Sequence, residues 1–369
     1  MSENTSRRLW LKQTTFILAG LGLKAEAFAT PVYFPDDAED MILLNSNENA
    51  YGPSPLARKA IMEHYLKSNR YPDDYIPLLK KKIAGHWNVQ PENILLGAGS
   101  SEIIGLVNLY LSSEKGNIVT AEPSYRVWNG QAEAFGLQFN RIALNKERKI
   151  DLSKMLAAID DNTRMLYLCN PNNPTGTNVE TPTLGGYAID ASKKTFVLID
   201  EAYTEYAELD SQASLAIKIP NIVVAKTFSK IYGLAGARVG YAIAHPDTIR
   251  RLSRLQPWPD ANVSVVSAAA AMASMDDHGF VSDCRDKVSQ SRQLCYDAFK
   301  ELSLDYIPSS TNFILFNIDK IKGDFVKQMQ AKNIYVQFRE HFGGKWCRVS
   351  MGTLEEMKMF CSALKSITG

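Results

Sequence analysis

Cysteine is scarce in this chain, and histidine is no commoner. The five cysteines (Cys169, Cys284, Cys295, Cys347 and Cys361) are scattered and form no Cys-x-x-Cys pair. That excludes a disulfide scaffold and a dithiol redox motif, and leaves them as small apolar core residues. The five histidines lack metal-ligand spacing, so no metal site is expected. Neither sign of charge is in excess: 41 Lys and Arg meet 40 Asp and Glu, a formal net charge of +1. This balance gives no electrostatic footprint for nucleic acid and no block aimed at an acidic partner. Apolar runs long enough to span a bilayer as a stable helix are missing, as are internal repeats and low-complexity tracts.

What is present is ordinary globular material. With 369 residues, 45% hydrophobic and 22% charged, the chain has enough for one large domain plus a smaller one. Its first residues are distinctive. Ser6-Arg7-Arg8-Leu9-Trp10-Leu11-Lys12 resembles a twin-arginine export signal, with Trp10 where Phe is usual. A short apolar stretch, Phe16 to Leu23, follows, and Ala25-Glu26-Ala27 or Ala27-Phe28-Ala29 supplies a cleavage site. The expectation is a signal over residues 1–29 and a periplasmic or otherwise exported protein. The competing reading is an amphipathic N-terminal helix on a cytoplasmic protein. The twin-arginine route carries folded proteins, so a cofactor loaded in the cytoplasm would survive it.

Pro31 to Asp40 is polar and turn-rich, and Pro55 to Lys67 reads as a helix. From about residue 91 strands and helices alternate. Apolar runs occur at Ile94–Leu96, Asn117–Ala121, Met165–Cys169, Phe196–Ile199, Ile222–Ala225 and Val239–Ala244. They are short and nearly continuous, which suits strands buried on both faces of a mostly parallel sheet. Ligands of such a sheet sit at the carboxyl ends of its strands. Beyond Pro257-Trp258-Pro259-Asp260 the texture becomes α+β. A long amphipathic helix covers about 277 to 302, strands cover Thr311–Phe316 and Trp346–Ser350, and a helix covers Phe325–Lys332.

The strand ends carry the chemistry. Thr227-Phe228-Ser229-Lys230 follows one apolar run, and Arg238 comes eight positions after the lysine. Lysine is the side chain that condenses with aldehydes. Hydroxyls with an arginine make a cup for a phosphate dianion. A ligand that is both aldehyde and phosphate ester describes pyridoxal phosphate. Gly97-Ala98-Gly99-Ser100-Ser101-Glu102 opens another helix, whose free N–H groups and dipole favour an anion. Glu102 stands where a nicotinamide fingerprint needs its third glycine, so that reading fails. Asp200 closes the apolar run Phe196–Ile199, where a carboxylate is costly unless paired. A protonated pyridine nitrogen is its natural partner, and that contact makes the ring an electron sink.

Together these segments resemble fold-type I aminotransferases, most of all the histidinol-phosphate aminotransferase family. The resemblance covers roughly residues 41–360 and rests on Asn172-Asn173-Pro174-Thr175-Gly176, Asp200-Glu201-Ala202-Tyr203, the lysine loop with its arginine, and Cys347-Arg348-Val349-Ser350-Met351-Gly352-Thr353. It implies an α/β fold: a mostly parallel seven-stranded sheet between helices, with a smaller α+β domain. Boundaries are expected at 30–70 (an N-terminal segment joining the small domain), 71–257 (the large cofactor-binding domain) and 258–369 (the small domain). It implies that Tyr125 lies against the pyridine ring, that Asn173 and Tyr203 meet its phenolic oxygen, and that Ser100, Ser101, Thr227, Ser229 and Arg238 hold the phosphate. Arg348, helped by Asn312, would grip the substrate carboxylate. Tyr51, in Leu44-Asn45-Ser46-Asn47-Glu48-Asn49-Ala50-Tyr51-Gly52-Pro53, belongs to the substrate side. Tyr71 would reach the phosphate of a neighbouring subunit, which implies a homodimer. Lys230 would carry the aldehyde, be freed by the amino substrate, and then move a proton from the substrate Cα to the cofactor's C4′.

The sequence departs from the family at one telling place. Gln337 stands after Ile334-Tyr335-Val336, where an arginine meets the substrate phosphate, and Arg339 lies two residues on. Either Arg339 substitutes, or the substrate carries no phosphate. The expected activity is amino transfer between an amino acid, an aromatic one among the candidates, or histidinol phosphate, and a 2-oxo acid. Trp258, Tyr51 and the aromatics near Phe338 are candidates for lining an aromatic pocket. Two alternatives stay open on the same scaffold: amino-acid decarboxylation, and a non-catalytic effector-binding module.

Overall fold

The computed structural model describes residues 41–368. The twin-arginine stretch and its cleavage sites lie outside the described residues. From Ile42 onward the chain forms one compact unit.

It starts with a short strand, β1 (Ile42–Leu43). Ser54 then caps the helix Pro55–His64: its side chain accepts from the Ala57 N–H, and Pro55 fills the first turn. The helix is shorter than the apolar pattern suggests. It tightens into a 3₁₀ segment at Tyr65–Asn69, where the chain turns toward Tyr71.

A seven-stranded sheet follows. Its members are β2 (Ile94–Gly97), β3 (Gly116–Glu122), β4 (Leu137–Ala143), β5 (Thr163–Cys169), β6 (Phe196–Asp200), β7 (Ile222–Thr227) and β8 (Gly240–Ala244), in the spatial order β2-β8-β7-β6-β5-β3-β4. Strands β3 to β7 run parallel, and β8 is antiparallel to both β7 and β2. Alternation along each strand feeds two separate cores. Leu96, Val119, Leu166, Val197 and Val224 belong to one, while Leu95, Ile118, Met165, Leu198 and Val223 belong to the other. Burying each such side chain stabilises by roughly 1.5–3 kcal/mol relative to leaving it exposed. Strand β4 escaped the sequence pattern because it lies at one edge of the sheet, where Gln138 and Arg141 are exposed and Asn140 half-buried, so the apolar run is broken.

The C-terminal third adds β9 (Tyr306–Ile307), β10 (Phe313–Asn317), β11 (Ile334–Tyr335), β12 (Gln337–His341) and β13 (Gly344–Ser350). Four of these form an antiparallel sheet in the order β12-β13-β10-β9, and β11 pairs in parallel with β1. The long helix His278–Glu301 and the final helix Leu354–Thr368 pack together, with Phe299, Phe316 and Phe360 meeting between them and β10. Among the described residues, no helix is long and apolar enough to cross a membrane.

Candidate active site

The site is built on the ends of β2, β3, β5, β6 and β7. Because β8 runs the other way, it meets the same edge with its beginning, and Arg238 precedes it there rather than following a strand end. One cavity of about 480 Å³ opens at this edge. Ser100, Ser101, Tyr125, Asn173, Asp200, Tyr203, Thr227, Ser229, Lys230, Arg238 and Arg348 all line it.

At one end the helix Ser100–Leu111 begins at Gly99, with no side chain capping its first turn. Its N-terminal N–H groups are therefore open to an anion. Gly99 adopts φ +81°, and a Cβ there would stand 2.5 Å from Arg238 Nη2. Arg238 is itself pinned: Nη2 donates to the Ala98 carbonyl at 3.0 Å and Nη1 to the Ala235 carbonyl at 3.0 Å. Thr227 Oγ1 donates to Ser229 Oγ at 2.9 Å, which adds two hydroxyls beside the guanidinium. Gly240 is needed beneath them, because a Cβ there would lie 2.4 Å from the Gly99 carbonyl carbon and the Ser100 nitrogen.

Lys230 sits in the middle. Its Nζ donates to the Asn47 carbonyl at 3.2 Å. Burial pushes its pKa down to about 8, helped by the nearby Arg348 charge and opposed by Glu48 and Asp200. Asp200 lies at the far side, 3% exposed. Burial pushes its carboxyl up, while a hydrogen bond from Tyr167 Oη at 2.8 Å, one from the Ala202 N–H at 3.2 Å and the Lys230 charge hold it down. Among the described residues, no cationic side chain lies within salt-bridge distance of it. It is a buried acid awaiting a cation.

Arg348 projects from β13 toward Asn173. Its Nη1 donates to Asn173 Oδ1 at 2.8 Å and its Nη2 to the Asn45 carbonyl at 2.9 Å, while Nε has no partner. Burial lowers its pKa to about 10. An anion entering beside it would satisfy a guanidinium that the protein leaves incompletely bonded. Tyr203 Oη accepts from Asn47 Nδ2 at 3.1 Å and stands 3.5 Å from Asn173 Nδ2. Burial raises the phenol of Tyr203, so it stays protonated and can donate.

Two residues carry more of this geometry than the sequence suggested. Asn47, in the left-handed region at φ 55°, ties the N-terminal strap to four other segments. Its N–H donates to Ser350 Oγ, its amide to Tyr203, and its carbonyl accepts from Lys230 and Asn312. An asparagine amid Gly and Pro was the available signal. Tyr167, wholly buried in β5, orients Asp200; a phenol inside an apolar strand was its signal.

Other expected positions fall elsewhere. Asn312 is off the cavity wall and donates to the Asn47 and Glu48 carbonyls. Tyr51 is also off the wall, with Lys287 Nζ 4.8 Å from its ring centre. Tyr71 is exposed and packs on Trp258, with ring centres 4.8 Å apart. The expected aromatic pocket of Trp258, Tyr51 and Phe338 does not form within the chain: none of the three lines the cavity. Phe338 alternates to the opposite face of β12 from Gln337 and Arg339.

The sequence and the fold both match those of known proteins. The family described as aminotransferase class I and II matches residues 39–364. The chain belongs to that family. It is 35% identical over 335 residues to a histidinol-phosphate aminotransferase of Moorella thermoacetica, spanning 89% of this chain and 86% of the relative. A second one, from Halalkalibacterium halodurans, is 33% identical, with 89% of both chains covered. The crystal structure of a histidinol-phosphate aminotransferase from Sinorhizobium meliloti in complex with pyridoxal-5′-phosphate superposes with a TM-score of 0.81 at 26% identity, covering 89% of this chain and 90% of that one. The protein is thus a pyridoxal-phosphate-dependent aminotransferase, and its sheet is that of the fold-type I enzymes. The residues present fit the cofactor: an amine of lowered pKa, a cation-seeking buried acid and an uncapped helix start with its arginine meet in one cavity.

Proposed function

We propose that this aminotransferase moves an amino group between an amino acid and a 2-oxo acid, with Lys230 as its one catalytic base. The observation that carries this is that Lys230, with its pKa near 8, shares one cavity with Asp200 and Arg348 and feels both their charges. The bound pyridoxal ring supplies the electron sink that makes the substrate Cα–H acidic. Asp200 holds the ring nitrogen cationic. Tyr203 and Asn173 donate to the ring's phenolic oxygen, and Tyr125 limits its tilt. Ser100, Ser101, Thr227, Ser229 and Arg238 bind the phosphate. Arg348 orients the substrate carboxylate, and Asn312 acts through the Asn47 strap. Lys230 would serve as the base that takes the proton from the substrate Cα and returns it at the cofactor's C4′, a role contributing on the order of 10²–10⁴-fold.

Histidinol phosphate is a second reading, favoured by the names of the relatives. Gln337 speaks for an amino acid instead, because a neutral amide holds a dianion poorly. Screening each amino acid in the half-reaction, by the change in cofactor absorbance, tests the proposal. Absorbance unchanged with every amino acid but not with histidinol phosphate would leave the second reading standing.

We also infer a homodimer in which Tyr71 serves the partner's phosphate site, supported by the exposure of Leu66 and of Tyr71 with its ring neighbour Trp258. Export through the twin-arginine signal belongs to the same reading, and mass spectrometry of the mature N-terminus tests it. Residues 71–257 are read as the large domain and 258–369 as the small one. The pairing of β1 with β11 supports joining 30–70 to the latter.

A further inference from the structure

The cysteines are dispersed along the sequence, yet the fold brings two of them together. Cys295 lies on the long helix His278–Glu301 and Cys361 on the final helix Leu354–Thr368, and these two helices pack on each other. Cys361 Sγ stands 3.8 Å from the carbonyl oxygen of Leu294, the residue bonded to Cys295. The two thiols are within hydrogen-bonding reach of one another. Cys295 is wholly buried and Cys361 half-buried. The other three cysteines are engaged elsewhere. Cys169 Sγ donates to the Pro171 carbonyl at 3.4 Å, Cys284 Sγ accepts from Asn49 Nδ2 at 3.4 Å, and Cys347 is buried in β13. No sequence motif marks the pair, because its members are 66 positions apart (361 − 295).

The two members differ. The hydrogen bond from Cys295 holds the Cys361 thiol below its ordinary value, against its partial burial and with help from Lys365 one turn on. Burial pushes the Cys295 thiol well up, and the hydrogen bond with Cys361 adds to this. Cys361 is therefore the thiolate-bearing member nearer solvent, and Cys295 the protonated one behind it. One thiol attacks and the other resolves in such an arrangement. We propose that Cys295 and Cys361 are an oxidation site, converted by a small-molecule disulfide into an intramolecular disulfide that staples the helix following the Arg348 strand to the long helix beside it. Cys361 Sγ attacks one sulfur of the oxidant, forms a mixed disulfide and expels the first thiolate. Cys295 loses its proton to that thiolate and attacks Cys361 Sγ, which releases the second. The two cysteines give up two electrons and two protons, and the oxidant becomes two thiols. The loop so closed is long, and closing a long loop removes much freedom from the unfolded chain. Disulfides persist in oxidising compartments, where the export proposed above would deliver the chain. A route that carries folded proteins requires the pair to be reached in the folded state, and the half-buried Cys361 meets that requirement.

The test uses the cofactor-loaded full chain, purified reduced and then exposed to glutathione disulfide without denaturant. Free thiols are alkylated after unfolding, and the digest is mapped by mass spectrometry. The peptides of Cys295 and Cys361 should be joined in most of the protein, while Cys169, Cys284 and Cys347 remain alkylated. Cys361→Ser should leave Cys295 alkylated, and Cys295→Ser should stop at a mixed disulfide on Cys361. By differential scanning calorimetry the bridged protein should melt about 5 °C above the reduced one, a gap that Cys361→Ser abolishes. No joined peptide at equilibrium, a mixed disulfide that persists on wild-type Cys361, or a bridge to another cysteine overturns the proposal. A joined pair with an unchanged melting temperature overturns the stapling role. Should the buried Cys295→Ser fail to fold, the wild-type map and the half-buried Cys361→Ser decide by themselves.

Discussion

Lys230 is held close to discharge, and its surroundings explain why. Burial and Arg348 penalise the protonated amine, and Asp200 and Glu48 restore only part of the loss. Its folded pKa of about 8 lies below the ordinary lysine value of 10.5. In the cofactor-free protein the fold therefore disfavours the charged amine, and this residue's contribution to stability falls as pH drops from about 10.5 toward 8. The neutral amine is the nucleophile. Reconstitution with pyridoxal phosphate should speed up about tenfold per pH unit below that midpoint and level off above it, as stopped-flow absorbance will show. A rate flat from pH 6 to 9 would contradict the assignment. Lys230→Ala should bind the cofactor without covalent attachment and lose at least about 10²-fold in turnover. For Asp200→Ala, saturating cofactor should not restore activity, because the ring nitrogen loses its counter-charge along with a binding contact. Full recovery at high cofactor concentration would reduce Asp200 to an affinity role.

At the level of elements, the phosphate end depends on two backbones that nearly touch. The start of β8 crosses under the turn that opens the helix Ser100–Leu111, and Gly240 is what lets them meet. Gly240→Ala sets a Cβ against the Gly99–Ser100 main chain, which cannot move aside. It should cost about 3 kcal/mol, the upper end for overpacking, and lower the melting temperature. Gly99→Ala presses instead on the tip of Arg238, which can swing away, and adds the strain of a Cβ at φ +81°, roughly 1–2 kcal/mol, less than the Gly240 clash. That variant should keep its fold but bind pyridoxal phosphate roughly 10- to 100-fold more weakly, since a charge-assisted contact is displaced. Differential scanning calorimetry with a cofactor titration separates the two outcomes. Equal effects on melting temperature would mean that the crossing is not the constraint.

At the scale of the whole molecule, the strap from Asn45 to Gly52 joins the two halves of the site. Asn47 meets Tyr203 and Lys230 on one side and Ser350 and Asn312 on the other. Closure of the β10–β13 layer over the cavity would therefore be felt directly at Lys230. The exposed Tyr71 extends the reasoning to the proposed dimer. Mixing Lys230→Ala with Tyr71→Phe subunits should restore about half of one intact dimer's activity in each hybrid, because one site then receives both a native lysine and a native tyrosine. If Tyr71 serves its own subunit, each hybrid has no fully native site created by exchange, and activity will not rise on mixing.

The sequence by itself determined the chemistry and most of the sheet. Thr227 to Lys230, Asp200 and Asn172 to Gly176 each follow a continuous apolar run, and buried parallel strands with polar residues at their ends have few other ways to fold. It did not show β4, whose outward polar residues hide the period, nor the reversed direction of β8. Only tertiary structure decided which side chains reach the cavity. Tyr51 and Asn312 share motifs with residues that do, yet the strap carries one outside the wall and sets the other behind it. Arg339 was a displaced letter in the sequence; pleating of β12 turned it toward the cavity that Arg348 also lines. Alternation and backbone crossing set those positions, and the crossing joins Gly99 and Gly240, 141 residues apart (240 − 99), a contact no local pattern shows.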